Sequence, residues 1–122
     1  MSRTKAIVDG DLLSGISYSG NDVIIGFVDE GIDIDHPDFL NADGTTRILA
    51  LWDQNRTAGG ADEVPQPYNY GIVWDSAAIN NGNCDHVESG SHGTASAGTA
   101  AGNGRGDSLY QGYGYQADII MV

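Results

Sequence analysis

The short apolar run from Ile24 to Val28 constrains the fold of this chain more than any other segment. Turn-forming residues bound it on both sides, with Gly20-Asn21-Asp22 before it and Asp29-Glu30-Gly31 after it. An uninterrupted apolar run between such signals is typical of a strand buried on both faces, and strands of that kind belong to parallel sheets. A second run, Ala117 to Val122, predicts another buried strand. The sequence therefore predicts an α/β fold, with a parallel sheet flanked by helices.

Two further segments add to this framework. The run from Ile48 to Trp52 predicts a strand that either joins the same sheet or forms an accessory ribbon. Small residues dominate from Ser91 to Ala101, where we expect a tightly packed helix with Ser89 or Ser91 as its N-cap. Gly102 is expected to end that helix.

The remaining chain gives weaker signals. The segment from Ala6 to Tyr18 has a loose helical spacing of apolar residues, which predicts a helix covering part of the sheet. From Asn55 to Gly90 the chain is polar and interrupted by glycine and proline, which favours a long surface excursion. Within it, the stretch from Trp74 to Ile79 is predicted to form a short helix.

Composition excludes several classes of protein. The chain has 5 Lys plus Arg against 17 Asp plus Glu, a net charge of −12, which argues against binding to nucleic acid or to anionic membrane surfaces. Its 122 residues suit one domain, and the 40% hydrophobic content suits a packed protein and not a disordered tail. Cys84 is the sole cysteine and cannot form a disulfide within the chain. Neither a long apolar span nor an export signal is visible.

Asp29 and His92 are the residues best placed for chemistry. Asp29 directly follows an apolar strand, where α/β sheets build their sites, and His92 opens the small-residue helix. A carboxylate that binds one ring nitrogen of a histidine fixes its tautomer and leaves the other nitrogen able to take a proton from a nucleophile. The plainer interpretation is that Asp29 caps a turn and His92 is an ordinary polar residue at a helix start.

Two longer motifs add a family resemblance. The segment from Val28 to Phe39 (VDEGIDIDHPDF) and the segment from His92 to Gly102 (HGTASAGTAAG) resemble the Asp and His signatures of the subtilisin-like serine proteases, in the order of that family. The resemblance covers most of the chain from about Gly20 onward and implies a partial subtilisin-like fold. It also implies that Asp29 is the catalytic aspartate and that His92 is the general base.

The chain departs from the family pattern in two respects. Glu30 stands where the family has Ser or Thr after the aspartate, and its negative charge is expected to raise the pKa of Asp29 or of His92. No serine here lies in the nucleophile motif Gly-Thr-Ser-Met-Ala, which comes later in the family. Ser96 lies one helical turn beyond His92 and is expected to point parallel to it, so it is not a candidate nucleophile.

The expected function follows from the resemblance. Residues 1–122 are interpreted as the N-terminal portion of a single subtilisin-like peptidase domain, inactive alone because the serine lies outside. The complete protein is expected to be an endopeptidase that cleaves polypeptides. Without the later strands, the open sheet edge predicts self-association of the chain. Family members are often secreted, but the chain itself leaves its compartment open. The alternatives are a non-catalytic interaction or pseudo-enzyme domain and a small metal-binding domain.

Two metal sites enter as hypotheses, although no cofactor is expected to be required. Asp38 corresponds to a position that contributes to a calcium site in many subtilases, so calcium is a possible ligand there. The cluster from Cys84 to Glu88, together with His92, contains the ligand types of zinc. Its spacing matches no closed zinc motif, and polar surface residues explain it equally well.

Overall fold

A four-stranded sheet organises the protein. The computed structural model describes residues 4–11, 15–59 and 64–122. The sheet has the strand order β1-β4-β2-β3. Its strands are β1 (Ile24–Phe27), β2 (Ile48–Asp53), β3 (Ile72–Asp75) and β4 (Asp118–Met121), and the helices are α1 (Thr4–Val8), α2 (Ser76–Asn80) and α3 (His92–Ala101).

Three of the four strands run parallel, which places their carboxyl ends at one edge of the sheet. β4 pairs in parallel with both β1 and β2, whereas β3 pairs antiparallel with β2. The ladder between β1 and β4 continues past the strand ends, because Val122 N donates to Phe27 O at 2.9 Å and Asp29 N donates to Val122 O at 3.0 Å. This continuation fixes Asp29 at the carboxyl edge. The mostly parallel sheet with its helices confirms the predicted α/β class.

The core lies between the sheet, α3 and the segment that follows β1. Ala97 and Ala101, on one face of α3, are fully buried. Because these side chains are small, the helix backbone packs close to its neighbours. The larger side chains that are almost completely buried are Ile32, Phe39, Ile48, Leu51, Ile119 and Met121. The predicted helix from Ser91 to Ala101 and its end at Gly102 are confirmed.

The predicted surface excursion from Asn55 to Gly90 is wrong in its second half. Ile72 and Trp74 lie in β3 and belong to the buried core, at 3% and 7% exposure. The helix predicted from Trp74 begins only at Ser76, because Asp75 is extended and its side chain accepts a hydrogen bond from Ala78 N at 2.7 Å. Turn-forming residues surround the three apolar residues from Ile72 to Trp74, so the sequence pattern did not indicate that this short run forms a strand.

The predicted helix from Ala6 to Tyr18 is also wrong in its extent. The helix ends at Val8, and Gly10 and Gly15 adopt φ angles of 81° and 86°, which turn the chain away from a helical path. Ile16 is 54% exposed and does not cover the sheet. Leu12 and Leu13 lie outside the described residues. No helix among the described ranges is both long and apolar enough to cross a membrane.

β1 is an edge strand and is not buried on both faces as predicted. Ile24 is 55% exposed, and Val28, just beyond the strand, is 83% exposed. β4 covers one edge of β1 and no described strand pairs with the other. Self-association through this edge stays a prediction.

The buried guanidinium of Arg47 links the loop after β1 to the start of β4. Its Nη1 donates to Asp38 O at 3.0 Å, and its Nη2 donates to Ala117 O. The residue is 4% exposed. Burial lowers the pKa of Arg47, while the charges of Asp118 and Asp38 act in the opposite direction. The charge is thus held inside by backbone carbonyls, and it anchors the segment that leads from β1 to β2.

Candidate active site

Asp29 and His92 meet at the carboxyl edge of the sheet. His92 Nδ1 lies 2.9 Å from Oδ2 and 3.0 Å from Oδ1 of Asp29. The Asp29 side chain is 18% exposed, whereas that of His92 is 76% exposed. The sequence predicted that these two residues act together, and the structure places them in direct contact. Their catalytic roles are considered under the proposed function.

A close backbone contact brings the two residues together. Gly93 follows His92 in the first turn of α3 and packs directly on the carbonyl of Gly31, two residues after Asp29. A Cβ atom at position 93 would lie 1.9 Å from Gly31 O and 3.3 Å from the Asp29 Cβ. No side chain fits in that space. The start of α3 therefore rests on the loop that carries Asp29, and the imidazole reaches the carboxylate.

The pair stabilises its own ion-pair form. The pKa of Asp29 is lowered, first by the backbone N–H of Glu30, which donates to Oδ1 at 2.9 Å, and then by the hydrogen bond from His92. The pKa of His92 is raised by its hydrogen bond to Asp29, by the charge of Asp29 and by the charge of Glu30. The expectation that Glu30 raises a neighbouring pKa therefore holds for His92. The pKa of Asp29 is lowered instead, and the backbone N–H of Glu30 is the largest cause.

The two ring nitrogens of His92 differ in their hydrogen bonding, because only Nδ1 contacts Asp29. An ionised carboxylate only accepts hydrogen bonds, so Nδ1 carries the proton that is donated to Asp29. In the neutral ring, Nε2 is then the basic nitrogen. Because most of the ring is exposed, Nε2 is open to a reacting group. This arrangement suits a general base that is oriented by a carboxylate.

Ser96 supports the carboxylate and not the exposed edge of the imidazole. Its hydroxyl interacts with Asp29 and is the smallest of the causes that lower the pKa of that group. Ser96 is four residues after His92, so both side chains lie on the face of α3 that is turned toward Asp29. The sequence excluded Ser96 as a nucleophile, and its orientation toward Asp29 agrees with that interpretation.

The N-cap of α3 is supplied from a distant part of the sequence. The Glu30 carboxylate accepts a hydrogen bond from His92 N at 2.8 Å. Ser91 occupies the cap position but makes no side-chain cap hydrogen bond, and Ser89 Oγ donates to Glu30 O at 3.2 Å. The prediction that the side chain of Ser89 or Ser91 caps α3 is wrong. The acceptor is the carboxylate of Glu30, 62 residues before His92.

A second histidine–aspartate pair lies beneath the loop after β1, and no pattern in the sequence indicated it. His86 Nδ1 lies 2.6 Å from Asp53 Oδ2, and the two side chains are only 5% and 9% exposed. Ile32 N donates to His86 Nε2 at 3.3 Å. Both ring nitrogens are therefore engaged. This pair supports the loop that carries Asp29.

A cleft of about 300 Å³ opens beside both pairs, at the carboxyl ends of β1, β2 and β4. Asp29, Glu30 and Trp52 line it together with Asp53 and His86. In parallel α/β sheets, ligands bind at this edge. The cleft is therefore the natural place for a ligand that approaches His92.

The zinc hypothesis fails on geometry. The proposed ligands bind separate partners: Asp85 pairs with Arg56, His86 with Asp53, and Glu88 with the hydroxyl of Thr94. Among the described residues, no group of three or more His, Cys, Asp or Glu side chains is placed to hold a metal ion.

Asp38 contacts the turn after α3. Its side chain is buried, and Oδ1 accepts a hydrogen bond from Gly106 N at 2.7 Å. The Arg47 guanidinium binds the Asp38 carbonyl. These contacts indicate a structural role in holding the turn after α3, and calcium binding at Asp38 stays a prediction.

Comparisons with known proteins bear on the family and the fold of this chain. Residues 20–122 match the profile of the subtilase family, peptidase S8. The chain belongs to the subtilase family. The solved structure of the Clostridium perfringens CspB protease is similar, with a TM-score of 0.74 and 26% sequence identity. That similarity covers 98% of this chain and 24% of the CspB chain. No curated protein matches the chain. The subtilase resemblance and the partial subtilisin-like fold are thus confirmed.

Two glycines of α3 provide a matched test of the close contact in this subtilase. Gly93→Ala places a methyl group against Gly31 O and is expected to destabilise the protein by about 1–3 kcal/mol or more, as overpacking does. Gly98→Ala meets nothing within 4 Å, so removing a helical glycine there should stabilise by about 0.5–1 kcal/mol. Urea denaturation measures both changes. Equal effects of the two substitutions would contradict the contact.

The titration of His92 tests the ion pair. We expect NMR to show a His92 pKa above its ordinary value of 6.5. The Asp29→Asn variant should lower that pKa, because the hydrogen-bonded charge is lost. The control Asp43→Asn removes an exposed carboxylate whose pKa is lowered by Thr45, and it should leave His92 unchanged. If Asp29→Asn and Asp43→Asn gave the same His92 pKa, the ion pair would be refuted.

The same shift predicts a pH dependence of stability. A group whose pKa is raised by folding contributes stability that is complete below its unfolded value and is lost as the pH rises through the folded value. The difference in unfolding free energy between the wild type and His92→Gln should therefore be largest below pH 6.5 and shrink as the pH rises through the raised folded-state pKa.

Proposed function

We propose that this chain is the Asp- and His-bearing N-terminal part of a subtilisin-like serine endopeptidase domain. In this proposal Asp29 and His92 act with a serine that lies outside these 122 residues. The contact between His92 Nδ1 and the Asp29 carboxylate, at the carboxyl edge of the sheet, is the observation that carries the proposal. Membership of the subtilase family supports it. The chain spans 24% of the length of the CspB protease, which leaves room for a nucleophile elsewhere.

The proposed reaction assigns one role to each residue. His92 Nε2 takes the proton of the serine hydroxyl while the serine oxygen bonds to the carbonyl carbon of the scissile peptide. The imidazolium then gives that proton to the departing amine nitrogen as the C–N bond breaks, leaving an acyl-enzyme. Water then gives a proton to His92 while its oxygen bonds to the acyl carbon. The bond between that carbon and the serine oxygen breaks, and His92 returns the proton to the serine. Asp29 stays ionised throughout and stabilises the imidazolium.

The proposed substrate is a polypeptide, bound across the cleft beside Asp29. Asp29 lines the cleft and is hydrogen-bonded to His92, so we expect a chain bound in the cleft to pass close to that ring. The Asp29 carboxylate is less exposed to solvent than the imidazole, as suits a group that supports the ring from behind.

Labelling with a fluorophosphonate tests this function. The complete protein should be labelled on a serine outside residues 1–122, and the 122-residue chain should stay unlabelled. His92→Ala in the complete protein should lower the rate of peptide cleavage by about 10⁴-fold or more, because the serine loses its base. Asp43→Asn, a change in an exposed aspartate outside the cleft, serves as the matched control and should retain activity.

Two results would contradict the proposal. One is a labelled serine within these 122 residues. The other is labelling and cleavage that survive His92→Ala at the rate of Asp43→Asn. Complete absence of labelling, with the protein folded, would favour a non-catalytic domain instead.

A further inference from the structure

Both the side chain and the backbone carbonyl of Glu30 contact residues at the start of α3. Its Oε1 accepts a hydrogen bond from His92 N at 2.8 Å. Its backbone carbonyl accepts hydrogen bonds from Ser89 N at 3.4 Å and from Ser89 Oγ at 3.2 Å. Gly90 packs so closely that a Cβ atom there would lie 2.3 Å from Oε1. Ser89 and Gly90, which lie just before α3, are thus arranged around Glu30.

The chemistry of the helix start explains why a carboxylate is effective at this point. The first N–H groups of a helix have no partner within the helix, and its N-terminal end attracts negative charge. α3 has no acidic residue in its first turn, and Ser91 makes no side-chain cap hydrogen bond. Glu30 therefore supplies both the acceptor and the charge that the sequence of the helix itself lacks.

The position of this cap matters because it lies at His92 itself. The same residue whose N–H binds Glu30 directs its ring nitrogen at Asp29. Asp29 and Glu30 are adjacent, so one loop holds His92 at its backbone and at its ring. Glu88, a further acidic residue near the start of α3, accepts a hydrogen bond from the hydroxyl of Thr94.

We propose that Glu30 is a positioning residue for the Asp29–His92 pair: its carboxylate caps α3 at His92 and thereby holds the imidazole against Asp29. Glu30 binds the backbone of His92 and does not touch the reacting atoms. The inference deepens the proposed function and rests on it, since positioning serves catalysis only if the pair is catalytic. The negative charge of Glu30 also favours the protonated ring.

Two substitutions of Glu30 distinguish the effect of its capping hydrogen bond from the effect of its negative charge. Glu30→Gln keeps a side-chain oxygen that can accept from His92 N but removes the charge, whereas Glu30→Ala removes both. Asp75→Ala is the matched control, because Asp75 caps α2 through Ala78 N in the same way. NMR of the ¹⁵N-labelled chain gives the two readouts, the Nδ1–H signal of His92 and the pKa of its ring. Circular dichroism checks that each variant is folded.

The proposal predicts a different result for each variant. Glu30→Gln should retain the Nδ1–H signal, protected by its hydrogen bond to Asp29, and lower the His92 pKa. Glu30→Ala should lose the protected signal as well, and Asp75→Ala should change neither readout. A Glu30→Ala variant that keeps the protected signal would overturn the proposal. If Glu30→Ala does not fold, Glu30→Gln decides: loss of the protected signal although the capping oxygen is kept overturns the proposal.

These readouts need no serine and no substrate. A failure here would therefore leave the serine labelling of the complete protein unaffected. Conversely, a complete protein without phosphonate-reactive serine would remove the proposed function while the contact between Glu30 and α3 could still be measured.

Discussion

The contact between the backbone of α3 and the loop after β1 is the constraint on which the rest of the site depends. Gly93 lies against the Gly31 carbonyl with no room for a single methyl group. This approach sets the distance between the strand end that carries Asp29 and the helix start that carries His92. Arg47 and the buried alanines of α3 hold the surrounding segments in place. The carboxylate–imidazole pair is thus a consequence of backbone packing.

The two histidine–aspartate pairs show that surroundings, and not residue type, decide what such a pair can do. In the buried pair, both nitrogens of His86 are engaged, one with Asp53 and one with the N–H of Ile32. That ring has no free nitrogen to act as a base. In the exposed pair, only Nδ1 of His92 is engaged and the ring is 76% exposed. The first pair supports the loop, and the second is available for proton transfer.

Local patterns in the sequence predicted part of this arrangement. The strands β1 and β4 and helix α3 follow from short apolar runs and from a small-residue segment, and the meeting of Asp29 with His92 follows from the edge at which parallel strands end. The sequence could not reveal the Glu30 cap or the His86–Asp53 pair. Each joins residues that are far apart in the chain, 62 residues for the first and 33 for the second. Only the packed fold brings them together.

A crystal structure of the complete protein, after its reaction with a phosphonate, tests the central claim most directly. The modified serine is expected to lie outside residues 1–122. Its oxygen should lie within hydrogen-bonding distance of His92 Nε2, about 2.6–3.2 Å, while Nδ1 keeps its contact with Asp29. A modified serine on the opposite side of the sheet, or a His92 ring turned away from Asp29, would contradict the account.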